Sequence, residues 1–98
     1  MKKSGIDYNT SGTTATLVFI KDSLCTIANL GDSRAVMCRI GQDISAIELS
    51  WDQKPTRKDE RERIQNSGGK IEKLNYNGEW VGPYRVWVDE EGPGIAMT

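Results

Sequence analysis

The chain has 98 residues and a formal net charge of −1, from 13 basic and 14 acidic residues. This near-neutral balance gives no electrostatic reason to expect a nucleic-acid or anionic-membrane partner, and every apolar run is far shorter than the roughly 20 residues that span a bilayer. Because the chain contains no histidine, its own residues exclude a Ser-His-Asp triad and a His-containing metal site. No apolar segment follows the charged start, so we expect no secretory signal and an intracellular location, cytoplasmic or nuclear.

The first half of the chain predicts four antiparallel β-strands. Residues 13–20 are rich in β-branched side chains and end in an apolar run, which is typical of a strand buried on both faces. Three further apolar runs follow after short polar turns, at residues 24–30, 35–40 and 44–49. Because connections this short make neighbouring strands antiparallel, residues 11–50 predict a β meander.

Cys25 and Cys38 lie within two of these predicted strands. One disulfide is possible in a secreted protein, but without a predicted signal peptide we expect two buried free thiols that act as small core residues. Two cysteines are too few for a zinc site.

Residues 56–69 predict a polar helix. Thr56 is the expected N-cap, acidic residues occupy the first turn, and Gly68 or Gly69 ends the helix. Ile64 is the only large aliphatic residue on it, so the helix must gain its stability from packing. Its four basic residues alternate with acidic ones, which favours a solvated face over a phosphate site; they are Arg57, Lys58, Arg61 and Arg63.

The last part of the chain is predicted to be irregular. Residues 70–93 are interrupted by Asn-Gly and Gly-Pro pairs and carry aromatic side chains, as functional loops often do. Residues 94–98 begin a new apolar segment without a partner. A single polar helix would also leave one face of a four-stranded sheet uncovered, so we expect a truncated domain.

Five segments resemble, in the same order, the metal-dependent Ser/Thr protein phosphatases of the protein phosphatase 2C family. The segments are Ser11-Gly12-Thr13-Thr14-Ala15, Ala28-Asn29-Leu30-Gly31-Asp32-Ser33-Arg34-Ala35-Val36, Asp52-Gln53-Lys54-Pro55, Glu60-Arg61-Glu62-Arg63-Ile64 with Gly68-Gly69, and Tyr84-Arg85-Val86-Trp87 with Pro93-Gly94-Ile95-Ala96-Met97-Thr98. The resemblance extends from residue 11 to residue 98, and its last segment looks closest to plant and protist members.

The resemblance implies an α+β fold, part of an α/β/β/α sandwich in which two β-sheets are flanked by helices. It also implies a pair of Mg²⁺ or Mn²⁺ ions held by carboxylates, and a metal-bridging water that attacks phosphoserine or phosphothreonine in a phosphoprotein substrate. The family's main ligand cluster precedes the equivalent of Ser11, and its later ligands follow the equivalent of Thr98. We therefore expect the central part of a catalytic domain (residues 1–98), inactive alone and with no catalytic or cofactor-binding residue of its own.

Asp32 is the one residue to which the resemblance assigns a metal role, as a ligand at an accessory third site. The residues alone leave a second interpretation open, in which Asp32 is a turn residue that caps its own backbone. Gln53 departs from the family, which has histidine at this position. Trp80, Tyr84 and Trp87 fall in the family's flap, a loop-rich insert near the substrate, where we expect them to form a small core of their own.

Two other functions remain open. The first is a stand-alone binding or regulatory module that keeps the sheet and the flap but not the active site. The second is a structural protein that forms homo-oligomers through exposed strands, since unpaired strand edges favour self-association.

Overall fold

The structure, a computed structural model, describes residues 5–89 and 92–98. It contains six strands and one helix, which confirms the α+β class. The elements in chain order are β1 (Ala15–Lys21), β2 (Leu24–Leu30), β3 (Val36–Ile40), β4 (Ile44–Glu48), α1 (Lys58–Asn66), β5 (Lys70–Tyr76) and β6 (Glu79–Trp87). No helix in these described ranges is long and apolar enough to cross a membrane.

The strands pair in chain order as three antiparallel hairpins, β1–β2, β3–β4 and β5–β6. In the first hairpin the register runs from Ala15 opposite Leu30 to Lys21 opposite Leu24. The third hairpin turns through Asn77 and Gly78, whose φ angles of 50° and 87° are both positive, as a type I′ turn requires.

The first four strands lie where the sequence predicts them, within one or two residues at each end, but they do not form one four-stranded sheet. The connection between β2 and β3 is not a tight turn, because its residues bind to the chain that follows β4. The Ala35 N–H donates to Ser50 Oγ at 2.8 Å, and the Leu49 N–H donates to the Ala35 carbonyl at 2.9 Å. These bonds align β3 with β4, and β3 does not pair with β2.

The helix supplies the buried core of the described residues. Ile64 is only 5% exposed and Pro55 is fully buried, and α1 packs mainly against β5. A Cβ placed on Gly69 would lie 2.7 Å from Ile64 Cγ2, so the chain after the helix passes directly over this side chain. The close approach explains why a glycine follows the helix.

The predicted burial of the first hairpin is wrong for this chain. Leu17 and Phe19 on one face of β1 are 66% and 65% exposed, and Ile20 on the other face is 69% exposed. Cys25 and Cys38 are free, as expected, but both are exposed. The reason is that nothing within residues 5–89 and 92–98 covers this hairpin, since the one helix lies against β5.

The start of the helix also differs from the prediction. Arg57, not Thr56, is the N-cap, and no side chain caps the first turn. The Arg57 guanidinium instead binds Asp59 and the carbonyls of Trp51 and Asp52. Helix α1 ends at Asn66, and Gly68 takes a positive φ of 83° just beyond it, as the sequence predicts for a glycine stop.

Of residues 70–93, predicted to be irregular, those from Lys70 to Trp87 form the β5–β6 hairpin, with a register shift between Glu72 and Leu74; residues 90 and 91 lie outside the described residues. Trp80 and Tyr84 are 58% and 44% exposed, so the expected core of three aromatic residues is not formed. Trp87 alone is well contacted: its Nε1–H donates to the Glu72 carbonyl at 3.0 Å, and its ring lies against residue 94.

Residues 92–98 return along β6. Val86 and Ile95 exchange two backbone hydrogen bonds, of 2.7 and 3.0 Å. The Arg85 guanidinium donates to the Gly94 carbonyl at 2.9 Å. A Cβ on Gly94 would lie 2.5 Å from the Trp87 ring, so this approach requires glycine.

Candidate functional site

The loop Gly31–Ala35, which joins β2 to β3, carries the metal-ligand candidate Asp32. Gly31 has a φ of 97°, and a Cβ there would lie 2.5 Å from Thr14 Cγ2. Both the conformation and the contact exclude other residues, because an L side chain at this φ is strained. The backbone position of Asp32, the next residue, is therefore set by Gly31.

The residues after Asp32 are held as firmly. Thr14 Oγ1 and Ser33 Oγ share a hydrogen bond of 2.6 Å. The Arg34 guanidinium donates to both carboxylate oxygens of Asp52, at 2.8 and 2.9 Å, and to the Glu48 carboxylate at 3.2 Å. Arg34 thus forms a bidentate pair with Asp52 and not with the neighbouring Asp32.

Asp52 is the most strongly paired carboxylate of the junction between β2 and α1. It accepts from Arg34 and lies 3.1 Å from Lys54 Nζ, and its side chain is only 14% exposed. The hydrogen bonds from Arg34, and then from Lys54, hold the pKa of the Asp52 carboxyl far below its usual range. The Asp52 carboxyl is accordingly ionised at neutral pH and pairs with Arg34 and Lys54.

Gln53, the next residue, binds the backbone at the start of the Asp32 loop. Its Oε1 accepts from the Gly31 N–H at 2.8 Å, and its own N–H donates to the Gly31 carbonyl at 2.9 Å. Its Nε2–H donates to the Asn29 carbonyl at 3.4 Å. Asn29 in turn accepts from Thr16 Oγ1 at 2.6 Å, which joins this network to β1.

Asp32 itself has no such partner. Its exposed carboxylate makes no hydrogen bond or ion pair within residues 5–89 and 92–98, including none to the backbone of its own turn. It borders an open cavity of about 330 Å³, which is also lined by residues 9–12, by residues 93–97 and by Arg85. A carboxylate without a partner, on a loop fixed on both sides, is available to a ligand.

The described residues do not form a complete metal site. Among them, no group of three or more aspartate, glutamate, cysteine or histidine side chains converges on one point. Mg²⁺ and Mn²⁺ need several oxygen ligands, so the chain fits one ligand position but not a metal pair. The helix residues Arg57 and Arg63 pair with Asp59 and Glu60, which supports their interpretation as a solvated, self-paired surface.

The sequence missed the roles of Asp52 and Gln53, because both depend on contacts with residues about 20 positions away. The only signal available was the short segment Asp52-Gln53-Lys54-Pro55 itself, where a charged pair precedes a buried proline. Asn29 gave no signal beyond its place in the family-like segment that begins at Ala28.

Comparison with known proteins agrees with this organisation. The family model described as "Protein phosphatase 2C" matches residues 1–82. Protein phosphatase 1L of Bos taurus is 41% identical over 80 residues, which cover 82% of this chain and 21% of that protein. Probable protein phosphatase 2C 73 of Oryza sativa subsp. japonica is 42% identical over 98 residues, covering 97% of this chain and 23% of that protein. No solved structure matches the chain significantly.

The chain therefore belongs to the protein phosphatase 2C family. It spans about a fifth of the length of these curated relatives. The integrin-linked kinase-associated serine/threonine phosphatase 2C of Homo sapiens is a further similar protein, 46% identical over 63 residues, which cover 61% of this chain and 16% of that protein.

Proposed function

We propose that the chain forms the central part of the catalytic domain of a Mg²⁺- or Mn²⁺-dependent phosphatase. The complete enzyme would hydrolyse phosphoserine and phosphothreonine in phosphoprotein substrates. Family membership supports the reaction class. The observation that carries the role of this chain is the unpaired carboxylate of Asp32, on a loop whose neighbouring residues are all bonded.

Asp32 would contribute one oxygen ligand to an accessory metal ion. The remaining ligands would come from parts of the enzyme outside this chain, because the described residues hold no ligand cluster. The 98-residue chain alone is consequently expected to release no phosphate from a phosphopeptide above the buffer rate, with Mn²⁺ present.

A chimaeric enzyme tests this proposal. Residues aligned with this chain in protein phosphatase 1L of Bos taurus would be replaced by the corresponding residues of this chain. We expect the chimaera to hydrolyse a phosphothreonine peptide with Mn²⁺. Asp32→Asn should raise the Mn²⁺ concentration that gives half-maximal activity on the order of tenfold, since the loss of a ligand charge weakens the binding of a hard divalent cation.

Asp22→Asn is the matched control. Asp22 lies in the β1–β2 turn with a positive φ of 53°, a conformation that asparagine tolerates. It should leave the Mn²⁺ requirement unchanged. A chimaera without Mn²⁺-dependent activity, beside an active parent enzyme, would contradict the phosphatase proposal; an unchanged Mn²⁺ requirement in Asp32→Asn would contradict the role of Asp32.

Self-association is a second candidate function, favoured by the exposed apolar side chains of β1 and β2. A non-catalytic binding module remains a prediction, and activity of the chimaera would count against it. An intracellular location, and a lack of nucleic-acid or membrane partners, also remain predictions.

A further inference from the structure

We propose that Gln53 is a positioning residue for the Asp32 carboxylate. The proposal rests on the proposed function, because it assigns to Gln53 the geometry of the loop that carries the metal ligand. The observation behind it is that Gln53 bonds to Gly31, the residue directly before Asp32, and to Thr98, the residue directly after the segment 93–97 that lines the same cavity as Asp32.

The first partner of Gln53 is the start of the Asp32 loop. Gln53 binds both backbone groups of Gly31, the N–H through its Oε1 at 2.8 Å and the carbonyl through its own N–H at 2.9 Å. Its Nε2–H continues this pairing to the carbonyl of Asn29 at 3.4 Å. A carboxamide has both an acceptor and donors. The Gln53 side chain can therefore make the backbone hydrogen bonds that a neighbouring strand would make at the end of β2.

The second partner of Gln53 follows the segment of residues 93–97, which lines the same cavity as Asp32. The Gln53 carbonyl accepts from the Thr98 N–H at 3.0 Å, directly after that segment. Gln53 thereby connects the loop that carries Asp32 to the end of this segment.

Gln53 holds the backbone of Gly31, the residue directly before Asp32. The Thr14–Ser33 hydrogen bond of 2.6 Å holds the residue directly after Asp32. What remains free is the Asp32 side chain, which has no partner in the described part of the chain. A metal ion that binds Asp32 would meet a loop backbone that is already ordered. Without the bonds of Gln53, part of the free energy of metal binding would be spent on ordering this loop, and the affinity for the metal would fall.

Three variants in the chimaeric enzyme separate positioning from a merely structural role. Gln53→Met keeps the length of the side chain and removes its donors and acceptor. Gln53→His restores one donor and one acceptor while the imidazole is neutral, but has only donors once it is protonated. Gln42→Ala, in the exposed β3–β4 turn, is the matched control.

We expect Gln53→Met to raise the Mn²⁺ concentration for half-maximal activity on the order of tenfold, as loss of outer-shell support does at other metal sites, with a smaller change in kcat. Relative to the unsubstituted chimaera at each pH, Gln53→His should be near normal at about pH 8 and impaired at about pH 5.5, because imidazole titrates between them. Gln42→Ala should match the unsubstituted chimaera.

Hydrogen exchange of the peptide that contains Gly31 provides a second readout. Gln53→Met should accelerate this exchange, since the Gly31 N–H loses its acceptor. An unchanged Mn²⁺ requirement in Gln53→Met would overturn the proposal, even if the melting temperature fell or the exchange accelerated. If Asp32→Asn changes the Mn²⁺ requirement and Gln53→Met does not, the positioning role alone fails; if neither does, the metal role of Asp32 fails first.

Discussion

Two aspartates that lie 20 positions apart in the sequence, Asp32 and Asp52, have opposite environments. Asp52 is held by Arg34 and Lys54, whereas Asp32 has no partner in the described residues. The pair at Asp52 stabilises the loop, and the unpaired Asp32 remains available. The family resemblance of Gly31-Asp32-Ser33-Arg34 implies a ligand role for Asp32, but it does not indicate that Arg34 binds Asp52, because this partner is set by the return of the chain after β4.

Acid should weaken this junction. The pKa of the Asp52 carboxyl is lowered in the folded state, chiefly by Arg34, whereas an unfolded aspartate has a pKa of about 3.9. As the pH falls through the unfolded pKa, the unfolded state takes up the proton first, so the stabilisation is complete above about pH 5 and is lost progressively as the pH falls further toward the lowered folded pKa.

Asp52→Asn is expected to lower the melting temperature at neutral pH and to reduce the further loss between about pH 5 and pH 3. Thermal unfolding of the chimaera across this range, followed by circular dichroism, measures both effects. Asp22→Asn should follow the unsubstituted protein at every pH. Parallel curves for Asp52→Asn and the unsubstituted protein would contradict the assigned role of the ion pair.

At the scale of the elements, local patterns predicted the strands and the helix well. The β-branched run before Lys21 and the charged stretch around Ile64 each formed the predicted type of element. The β5–β6 hairpin was missed because Asn77-Gly78 was interpreted as an interruption, although this pair is a strong hairpin signal. The antiparallel β1–β2 and β3–β4 pairs were predicted, but the absence of pairing between β2 and β3 was not, since it depends on distant bonds such as the one from Ala35 to Ser50.

Helix α1 depends on one side chain. Ile64 is 5% exposed and touches the chain at Gly69, which in turn lies near Val86 of β6. We expect Ile64→Ala to destabilise the protein by about 2–3 kcal/mol, and Ile64→Val by about 1 kcal/mol, because a buried isoleucine loses packing in proportion to the atoms removed.

Urea unfolding of the chimaera provides the comparison for these two variants. Gln65→Ala, on the exposed side of the same helix, is the control and should change the free energy of unfolding little. An Ile64→Ala variant as stable as the control would show that α1 does not anchor β5 and β6.

For the whole molecule, the exposed area is the informative quantity. The chain exposes 8265 Å², whereas a compact monomer of this length exposes about 5,600 Å². Its radius of gyration is 17.6 Å, against about 12–13 Å for a compact domain of this size. The excess area is about three times what each partner buries in a standard interface, roughly 800 Å².

The isolated chain should therefore associate with a second copy of itself through the β1–β2 hairpin. Sedimentation velocity over a wide range of protein concentration is expected to show dimers or larger species. Leu17→Lys with Phe19→Lys, on one exposed face of β1, should shift the chain toward the monomer; Asp43→Lys, in the β3–β4 turn, should not. A monomer at every concentration would contradict this prediction.

The bonds that hold the Asp32 loop have a consequence for the order in which the chain acquires structure. Within each hairpin, paired residues are at most 17 positions apart, whereas the bonds at Gly31 and at Thr98 join residues 22 and 45 positions apart. The longer loops carry a greater closure entropy, and their ends meet only when the elements on both sides are in place. The geometry around Asp32 is thus conditional on the rest of the fold, and damage to a distant hairpin would displace Asp32 even when every residue of its own loop is unchanged.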